Sequence, residues 1–388
     1  MTTATTVQKR PMTTARLSGT TVILGFLGLM TVIGGAAGIY RLIVGLGPTT
    51  TLNDGFPWGI WIGFDFGMIA FSGAAFTLAG IVYILQWETY RPAMRPAILF
   101  GLLGYVAVLV LLVLDLGRWD RFWSFFINWN LHSPLFEISW CIVLYSTVLV
   151  IEASPQLFER LGKERPVRWV YRIVIPLVIA AVTLSSLHQS TLGTLYLNMP
   201  YRLHPLWYSP ILSPLFLISS VMAGLAVTML VYPLAARILG KEADNKINSG
   251  LARGAAWVML VYTLFKLGDI VVAGELSQLL AFDRFSQLMW LELGVGVILP
   301  MVIFFLPSLR TQGGWQVAGA LLILFGVLMN RFNATLFAQL AREGATYTPH
   351  ILEWLSTLGV LSAAALAWYF GIRYLRIFDS QAHARYHK

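Results

Sequence analysis

Residues 96–117 of the chain read PAILFGLLGYVAVLVLLVLDLG, a run of 22 residues in which Asp115 is the single charged side chain. A helix of this length rises about 33 Å, which is enough to cross a hydrocarbon core about 30 Å thick. Nine further stretches are comparably long and apolar, at about residues 18–46, 57–87, 134–155, 168–190, 207–239, 251–275, 287–307, 313–335 and 352–376. The sequence therefore predicts an all-α, polytopic membrane protein of about ten transmembrane helices.

The composition agrees with this fold class and excludes several functions. Of 388 residues, 57% are hydrophobic and 12% charged, whereas soluble domains average about 25% charged residues. The net charge of +9 comes from short basic clusters between apolar stretches, so it does not indicate nucleic-acid binding. One cysteine, Cys141, excludes a disulfide framework and a self-supplied iron–sulfur cluster. The sequence has no Walker loop, dinucleotide-binding glycine fingerprint or C-x-x-C-H haem motif, and we predict no metal site.

The predicted helices divide into two halves of one integral membrane domain over residues 1–388. Spans two to five and six to nine each suggest a four-helix bundle, with spans one and ten at the periphery. The halves cover residues 18–190 and 207–376. Pro57, Pro96, Pro134 and Pro349 lie at or just before predicted helix starts, where a missing N–H costs little. Pro176 and Pro214 lie inside predicted spans and are expected to kink them.

The basic residues predict an orientation in the membrane. Of 27 Lys and Arg residues, nineteen fall on the side of the chain termini, seven on the opposite side, and Lys266 within a span. The positive-inside rule therefore places both termini in the cytoplasm of a bacterial inner membrane. The opposite loops are aromatic, as expected for an interfacial belt or a docking surface, and contain Trp119, Phe122, Trp123, Phe125, Phe126 and Trp129.

Ionisable side chains within the predicted spans crowd toward that aromatic side, with Glu152 as the exception. A charge in hydrocarbon is costly and is a functional-site hypothesis by default. Asp65 lies about 12 Å inside span two and is too short to reach water, so we favour a function for it and for Glu137. The other residues of this set are Asp115, Arg118, His188 with Gln189, Lys266, Asp269, Glu292, Arg331 and Glu353.

Structural interpretations remain open for several of these residues. Arg118, Arg331 and Glu353 are equally well explained as helix-end charges that snorkel or pair. Lys266 and Asp269 are three residues apart on span seven, so they form either a structural ion pair or a catalytic one. Gly59, Gly63 and Gly67 repeat every four residues beside Asp65, which indicates close helix packing rather than ligand contact.

Carboxylates with one histidine near a single membrane interface suit a molecule that is apolar yet takes up protons, such as a quinone. Its carbonyl oxygens need partners that relay protons, and both His188 and a buried carboxyl could do this. The sequence contains no redox centre of its own, so electrons would come from a partner docked on the aromatic side.

Two rival classes compete with the quinone interpretation. A b-type haem is disfavoured because His188 is the one histidine of six that falls within a predicted span. A secondary transporter is disfavoured because its site would lie near the midplane between inverted repeats, and no such repeat is evident.

Specific strings carry a family resemblance over nearly the whole chain. They are NDGFPWGIW at 53–61, LDLGR at 114–118, SPLFE at 133–137, LHQS at 187–190 followed by Gly193, and HPLW at 204–207. In order and spacing they resemble the integral membrane subunits of hydrogenase-2-type respiratory complexes, within the polysulphide reductase/NrfD-like family.

The resemblance implies a subunit that binds menaquinone or ubiquinone in the first bundle near the outer surface, without haem. It implies an iron–sulfur partner on the periplasmic face and a catalytic subunit beyond it, a nickel–iron hydrogenase if this member follows its nearest relatives. The residues that match family polar positions are Asp65, Asp115, Arg118, Glu137 and His188. Lys266 stands where an arginine is expected and Asp269 where relatives tend to have glutamate, which leaves the role of the second bundle open.

The resulting expectation is a quinone-binding membrane anchor embedded in lipid, and the sequence leaves open whether this subunit itself is catalytic. Glu137 and His188 would handle protons, and Asp65 and Asp115 would connect them to water or to a transmembrane proton route ending at Glu152. The residues expected to line the quinone are Trp58, Asp65, Arg118, Glu137, His188 and Gln189.

Overall fold

A computed structural model of the protein describes residues 19–340 and 345–378. These residues are almost wholly helical and contain no strand beyond isolated bridges. Ten of the described helices are long and apolar enough to cross a membrane, which confirms the predicted fold class. Spans 1 to 10 are Gly19–Val44, Ile60–Ile84, Glu88–Asp115, Pro134–Arg160, Val174–Leu197, Leu212–Ile238, Asn245–Val272, Arg284–Phe305, Gly313–Phe337 and Ile351–Tyr374. Both termini, predicted to be cytoplasmic, lie outside the described residues.

Two predictions about prolines, those for Pro96 and Pro214, are wrong. Pro96 lies inside the helix Arg91–Asp115, and Pro92 occupies its first turn instead. Pro176 and Pro214 lie in the first turns of their spans, because span 5 begins at Val174 and span 6 at Leu212. A proline in a first turn removes no hydrogen bond of the helix that it begins. Span 6 therefore has no kink at Pro214, whereas the predicted span 168–190 is interrupted at Ile173, one turn before Pro176. The predicted start of span 5 is in fact a separate short helix, Glu164–Arg172.

Span 2 is irregular where it crosses span 6. Its helix Ile60–Phe71 is interrupted at Ser72 and Gly73, resumes as Ala74–Ala79 and ends in a π-helical turn, Gly80–Ile84. A Cβ atom on Gly73 would lie 2.9 Å from the Ser220 carbonyl oxygen. The two backbones therefore approach closely at the interruption. Spans 8 and 9 also contain π-helical turns, at Leu291–Ile298 and Asn333–Phe337, a geometry often found at functional sites.

The helix contacts agree with the two predicted four-helix groups. Spans 2 to 5 pack around one another as the first group, and spans 6 to 9 pack as the second group. Spans 2, 3 and 5 join the groups by packing against span 6, and span 2 also packs against span 9. Spans 1 and 10 pair with each other and rest on span 3. A Cβ atom on Gly359 would lie 2.5 Å from the Gly34 Cα, so the peripheral pair is in backbone contact.

The alternating direction of the spans gives the molecule two faces. We call the end that carries Arg91, Arg160, Arg237 and Arg373 the basic face. The opposite end, with the short 3-10 helix Trp119–Phe126, is the aromatic face. The assignment of the basic face to the cytoplasm stays a prediction from the loop charges.

Candidate functional site

The centre of the first group holds a fully buried histidine. His188 of span 5 has no exposed surface, and its Nδ1 lies 3.0 Å from the hydroxyl of Tyr105 on span 3. Its Nε2 has no hydrogen-bond partner among the described residues. Tyr105 in turn packs edge-on against Tyr145 of span 4, with ring centroids 4.8 Å apart. One imidazole nitrogen is thus held in place while the other is available to a ligand or a water.

Spans 2 and 5 add two more buried polar groups beside this histidine. Asp65 is 3% exposed, and its Oδ1 has no hydrogen-bond partner among the described residues. Gln189 donates its Nε2 to the Ile69 carbonyl at 2.9 Å, while its Oε1 is likewise unpartnered. Asp65 lies within electrostatic range of the Tyr105 hydroxyl. Unpartnered buried polar atoms cost about 1–3 kcal/mol each, so a cluster of them requires an explanation such as a ligand, water or catalytic role.

Glycines set the position of Asp65 against the second group. A Cβ atom on Gly63 would lie 2.7 Å from the Phe332 ring, and one on Gly67 would lie 2.5 Å from the Leu328 side chain. Both neighbours belong to span 9. The close packing predicted for these glycines is therefore present, and it holds span 2 tightly against the second group.

Glu137 and Trp58 lie nearer the aromatic face. Glu137, in the first turn of span 4, is half-buried and accepts a hydrogen bond of 2.8 Å from Thr191 Oγ1. Thr191 follows His188 by one helical turn on span 5, so the carboxyl and the imidazole lie along the same side of that span. Trp58 packs edge-on against Tyr196 of span 5, with ring centroids 6.2 Å apart.

Asp115 and Arg118 lie farther from the histidine than the other predicted residues. Asp115 ends span 3 near Arg41 of span 1, which is fully buried and donates to the Leu116 carbonyl at 2.7 Å. Asp115 is still within electrostatic range of Asp65. Arg118 lies beyond the helix end, where its exposed guanidinium pairs with Asp120 at 2.8 Å. The structure therefore does not bring Arg118 to the cluster around His188.

The second group contains a separate buried carboxylate. Glu292 is 2% exposed and accepts hydrogen bonds from Trp207 Nε1 at 2.8 Å, Asn330 Nδ2 at 2.8 Å and Asn333 Nδ2 at 2.7 Å. Arg331 lies over the Phe216 ring, 3.7 Å from its centroid. Three neutral donors thus satisfy Glu292 in a protein interior, which is the arrangement expected for a carboxylate that is kept buried.

The structural interpretations of the charged residues have different outcomes. Lys266 and Asp269 do not pair, because Lys266 donates to the Leu206 carbonyl at 2.7 Å and Asp269 accepts from Ser209 Oγ at 2.8 Å. Arg331 and Glu353 do not snorkel, since both are completely buried. Glu353 and Arg118 do have partners, Tyr347 and Asp120, as the alternative interpretation of paired charges expected.

Tyr347 fastens the start of span 2 to span 10. Its hydroxyl donates to Glu353 and accepts a hydrogen bond of 3.0 Å from the Ile60 amide. Burial, and then the neighbouring Glu353, raise the pKa of the Tyr347 hydroxyl, so it keeps its proton for this bond. The carboxylate of Glu353 is therefore occupied by a structural contact.

Glu152 lies at the basic-face end of the first group. It is 8% exposed, and neither carboxyl oxygen has a hydrogen-bond partner among the described residues. It lines a cavity of about 30 Å³ together with Tyr83, Arg95 and Gln156. A polar cavity of this size is large enough for a water molecule.

The larger cavities lie away from the predicted site. Those described have volumes of about 1070, 420 and 350 Å³, and none is lined by Asp65, Glu137 or His188. Within residues 19–340 and 345–378, no group of three or more His, Cys, Asp or Glu side chains is placed to hold a metal ion.

Two residues that lie close to predicted site residues were not themselves predicted from the sequence. Tyr105 is the one hydroxyl-bearing side chain in the run 96–117, and that interruption of an aliphatic stretch was the available signal. Arg41 was counted only among the seven basic residues of the side opposite the termini, but it lies inside span 1 and is fully buried. Its position four residues before Gly45 was consistent with a helical location.

Comparisons with known proteins identify sequences that are similar to this one over most of its length. The family profile described as "Polysulphide reductase, NrfD" matches residues 49–342. The protein is 30% identical to a probable Ni/Fe-hydrogenase 2 b-type cytochrome subunit of Escherichia coli (strain K12), over 87% of its own length and 88% of the relative. It is 30% identical to the integral membrane subunit of a menaquinone reductase of Nitratidesulfovibrio vulgaris, over 88% of both proteins. It is 23% identical to the integral membrane subunit of an Hdr-like menaquinol oxidoreductase of Archaeoglobus fulgidus, over 85% of its own length and 87% of that relative.

Proposed function

Because the chain belongs to the polysulphide reductase NrfD family, we propose that it is the quinone-binding membrane subunit of a respiratory oxidoreductase complex. It would pass electrons between an iron–sulfur partner on the aromatic face and the quinone pool. One relative is named as part of a menaquinone reductase, which supports a quinone as the bound redox carrier. Menaquinone and ubiquinone would both suit the site. The relative named as a hydrogenase 2 subunit supports a nickel–iron hydrogenase as the catalytic partner.

The observation that carries the proposal is the buried cluster around His188. His188 Nε2, Asp65 Oδ1 and Gln189 Oε1 are polar atoms without protein partners among the described residues, in the interior of the first group. Hydrogen bonding to a quinone carbonyl would satisfy one or more of them. Quinone reduction adds two electrons and two protons, so the carbonyl oxygens need neighbours that exchange protons.

Roles for the individual residues follow from their depth. Glu137 lies nearest the aromatic face and would exchange protons with water, and His188 would hand a proton to the bound carbonyl. Asp65 would hold the second proton, and its electrostatic contact with Asp115 would link it to the helix end. Trp58, packed on Tyr196, would cover the quinone ring from the aromatic side. Arg118 is too exposed for such contact, and we assign it to the partner-facing surface.

A proton route toward the basic face would continue from the same cluster. His188 contacts Tyr105, Tyr105 packs on Tyr145, and Tyr145 is within electrostatic range of Glu152. The small cavity beside Glu152 would hold the water that completes this end. The proposed route would use His188, Tyr105, Tyr145 and Glu152 in that order.

We propose that the subunit works without haem. The name of the Escherichia coli relative mentions a b-type cytochrome. The absence of haem is therefore argued from the histidines of the present protein. Bis-histidine ligation requires two histidines that face each other within the membrane. Of the histidines that the structure describes, His188 alone lies in a span, and its Nδ1 is engaged with Tyr105.

The variant Glu137→Gln tests the proposal in the purified complex. Removing a positioned proton carrier is expected to lower quinone-linked turnover by about 10²–10⁴-fold. Complex assembly and electron transfer from the catalytic partner to an artificial dye should be unchanged, because neither needs this carboxyl. Glu242→Gln, an exposed residue at the basic face, is the matched control. Normal quinone-linked turnover in Glu137→Gln would remove Glu137 from the proposed mechanism.

A further inference from the structure

The largest of the described cavities lies apart from the polar centres of both helix groups. It has a volume of about 1070 Å³ and is enclosed by spans 1, 3, 6 and 10. Apolar side chains such as Leu27, Phe100 and Trp368 form most of its wall. Ile23 and Leu234 on its rim are exposed, so the cavity opens sideways toward the surrounding lipid. Small-molecule pockets measure about 300–1,000 Å³, so a long apolar molecule has room here.

Two arginines close the end of the cavity at the basic face. Arg237 lies in the last turn of span 6 and Arg373 in the last turn of span 10. Neither guanidinium forms a hydrogen bond or an ion pair with another residue that the structure describes. Two positive charges that have no partner in the described part of the protein lie at the mouth of an apolar cavity. They favour an occupant that combines an anionic group with a hydrocarbon tail.

The length of the cavity matches one leaflet of a bilayer. Leu361 and Arg373 both line it and are twelve residues apart on span 10, which corresponds to about 18 Å along the helix. Half of a hydrocarbon core is about 15 Å. An acyl tail whose headgroup lies at the basic face would therefore reach the end of the cavity.

We propose that this cavity binds one membrane phospholipid with an anionic headgroup. The phosphate pairs with Arg237 and Arg373, and an acyl tail fills the space between span 6 and the pair of spans 1 and 10. Basic pockets between transmembrane helices are known lipid headgroup sites. A quinone is neutral and would leave both arginines unpaired, so phospholipid is the better match. The site does not depend on the proposed quinone function.

Native mass spectrometry of the purified complex in detergent tests the proposal directly. Phosphatidylglycerol and phosphatidylcholine with identical acyl tails are the two probes. We expect one phosphatidylglycerol per subunit to bind at least tenfold more tightly than phosphatidylcholine. Equal binding of the two lipids would overturn the proposal without any variant being made.

Two kinds of variant locate the site. Arg237→Gln and Arg373→Gln should each weaken phosphatidylglycerol binding by about fivefold, whereas Arg160→Gln, exposed on the same face but outside the cavity, should leave it unchanged. Ala364→Trp fills the cavity and should abolish binding of the lipid tail. Ala367→Trp, exposed on the same helix and outside the cavity, is its control.

Three results contradict the proposal. The first is unchanged phosphatidylglycerol binding in a variant that combines Arg237→Gln with Arg373→Gln, and the second is unchanged binding in Ala364→Trp. The third is one-for-one displacement of phosphatidylglycerol by a neutral prenyl quinone. Quinone-linked turnover measured in the same preparations separates the two proposals, because loss of the lipid leaves the cluster around His188 intact.

Discussion

At the scale of single residues, the most informative contact is the one between Tyr105 and His188. It joins spans 3 and 5 in the interior of the first group. The hydroxyl of Tyr105 lies 3.0 Å from Nδ1 of His188. This hydrogen bond restrains the rotation of the buried imidazole ring. We therefore propose that Tyr105 is a positioning residue for the histidine.

Replacing Tyr105 by phenylalanine should lower quinone-linked turnover by about three- to tenfold. The hydroxyl contributes a single hydrogen bond, whose net free energy is about 0.5–1.5 kcal/mol. Steady-state turnover with a quinone analogue measures the effect, and dye-linked turnover of the same complex reports on assembly. Tyr262→Phe is a matched control, since Tyr262 is similarly buried but belongs to span 7 in the second group. Equal turnover of Tyr105→Phe and wild type would show that the contact has no role in proton exchange.

At the scale of helices, the length and apolar character of each span could be read from the sequence, but the exact ends could not. A proline predicts a helix start only when the residues before it are not helical. Pro96 misleads because Pro92 lies one turn earlier in the same helix. The predicted pairing of Lys266 with Asp269 is wrong for a different reason. Residues three apart share a helix face, but the Leu206 carbonyl and the Ser209 hydroxyl come from another segment that periodicity does not reveal.

The pairing of spans 1 and 10 depends on two glycines that permit backbone contact. Gly34→Leu should separate these spans and lower the midpoint of thermal unfolding by several degrees, because a side chain there meets the backbone of Gly359. Gly35→Leu is the matched control, since a Cβ atom on Gly35 meets nothing within 4 Å. Fluorescence-detected size-exclusion after heating compares the two variants. If both lose the same amount of stability, the cause is general helix disruption rather than the crossing.

At the scale of the whole molecule, the depth of each polar residue along its span could be predicted from the sequence, but the neighbours of its side chain could not. Depth along each span placed Asp65, Glu137 and His188 near one interface, and the fold does bring them into the same group. Arg118 belongs to the same sequence string as Asp115, yet the helix ends between them and Arg118 turns outward to Asp120. Sequence proximity to a helix end does not determine the direction of a side chain.

The orientation in the membrane is testable with single cysteines. In a Cys141→Ser background, Asn128→Cys at the aromatic face should react with a membrane-impermeant maleimide added to intact cells. Ser308→Cys at the basic face should react only after the inner membrane is permeabilised, because the loop charges place that face in the cytoplasm. Both positions are exposed in the structure. The reverse labelling pattern would show that the orientation in the membrane is opposite to the predicted one. The proposed iron–sulfur partner would then lie in the cytoplasm.

The contact between spans 1 and 10 also has a consequence for biogenesis. About 300 residues separate the end of span 1 from the start of span 10. At about 5–20 residues per second, the ribosome needs on the order of 15 to 60 s to deliver the second partner after the first has entered the bilayer. During that interval Gly34 of span 1 lacks the backbone against which it packs in the folded protein. We therefore expect that a ribosome stalled before Ile351 leaves a polypeptide that an insertase or a membrane protease recognises as unfinished.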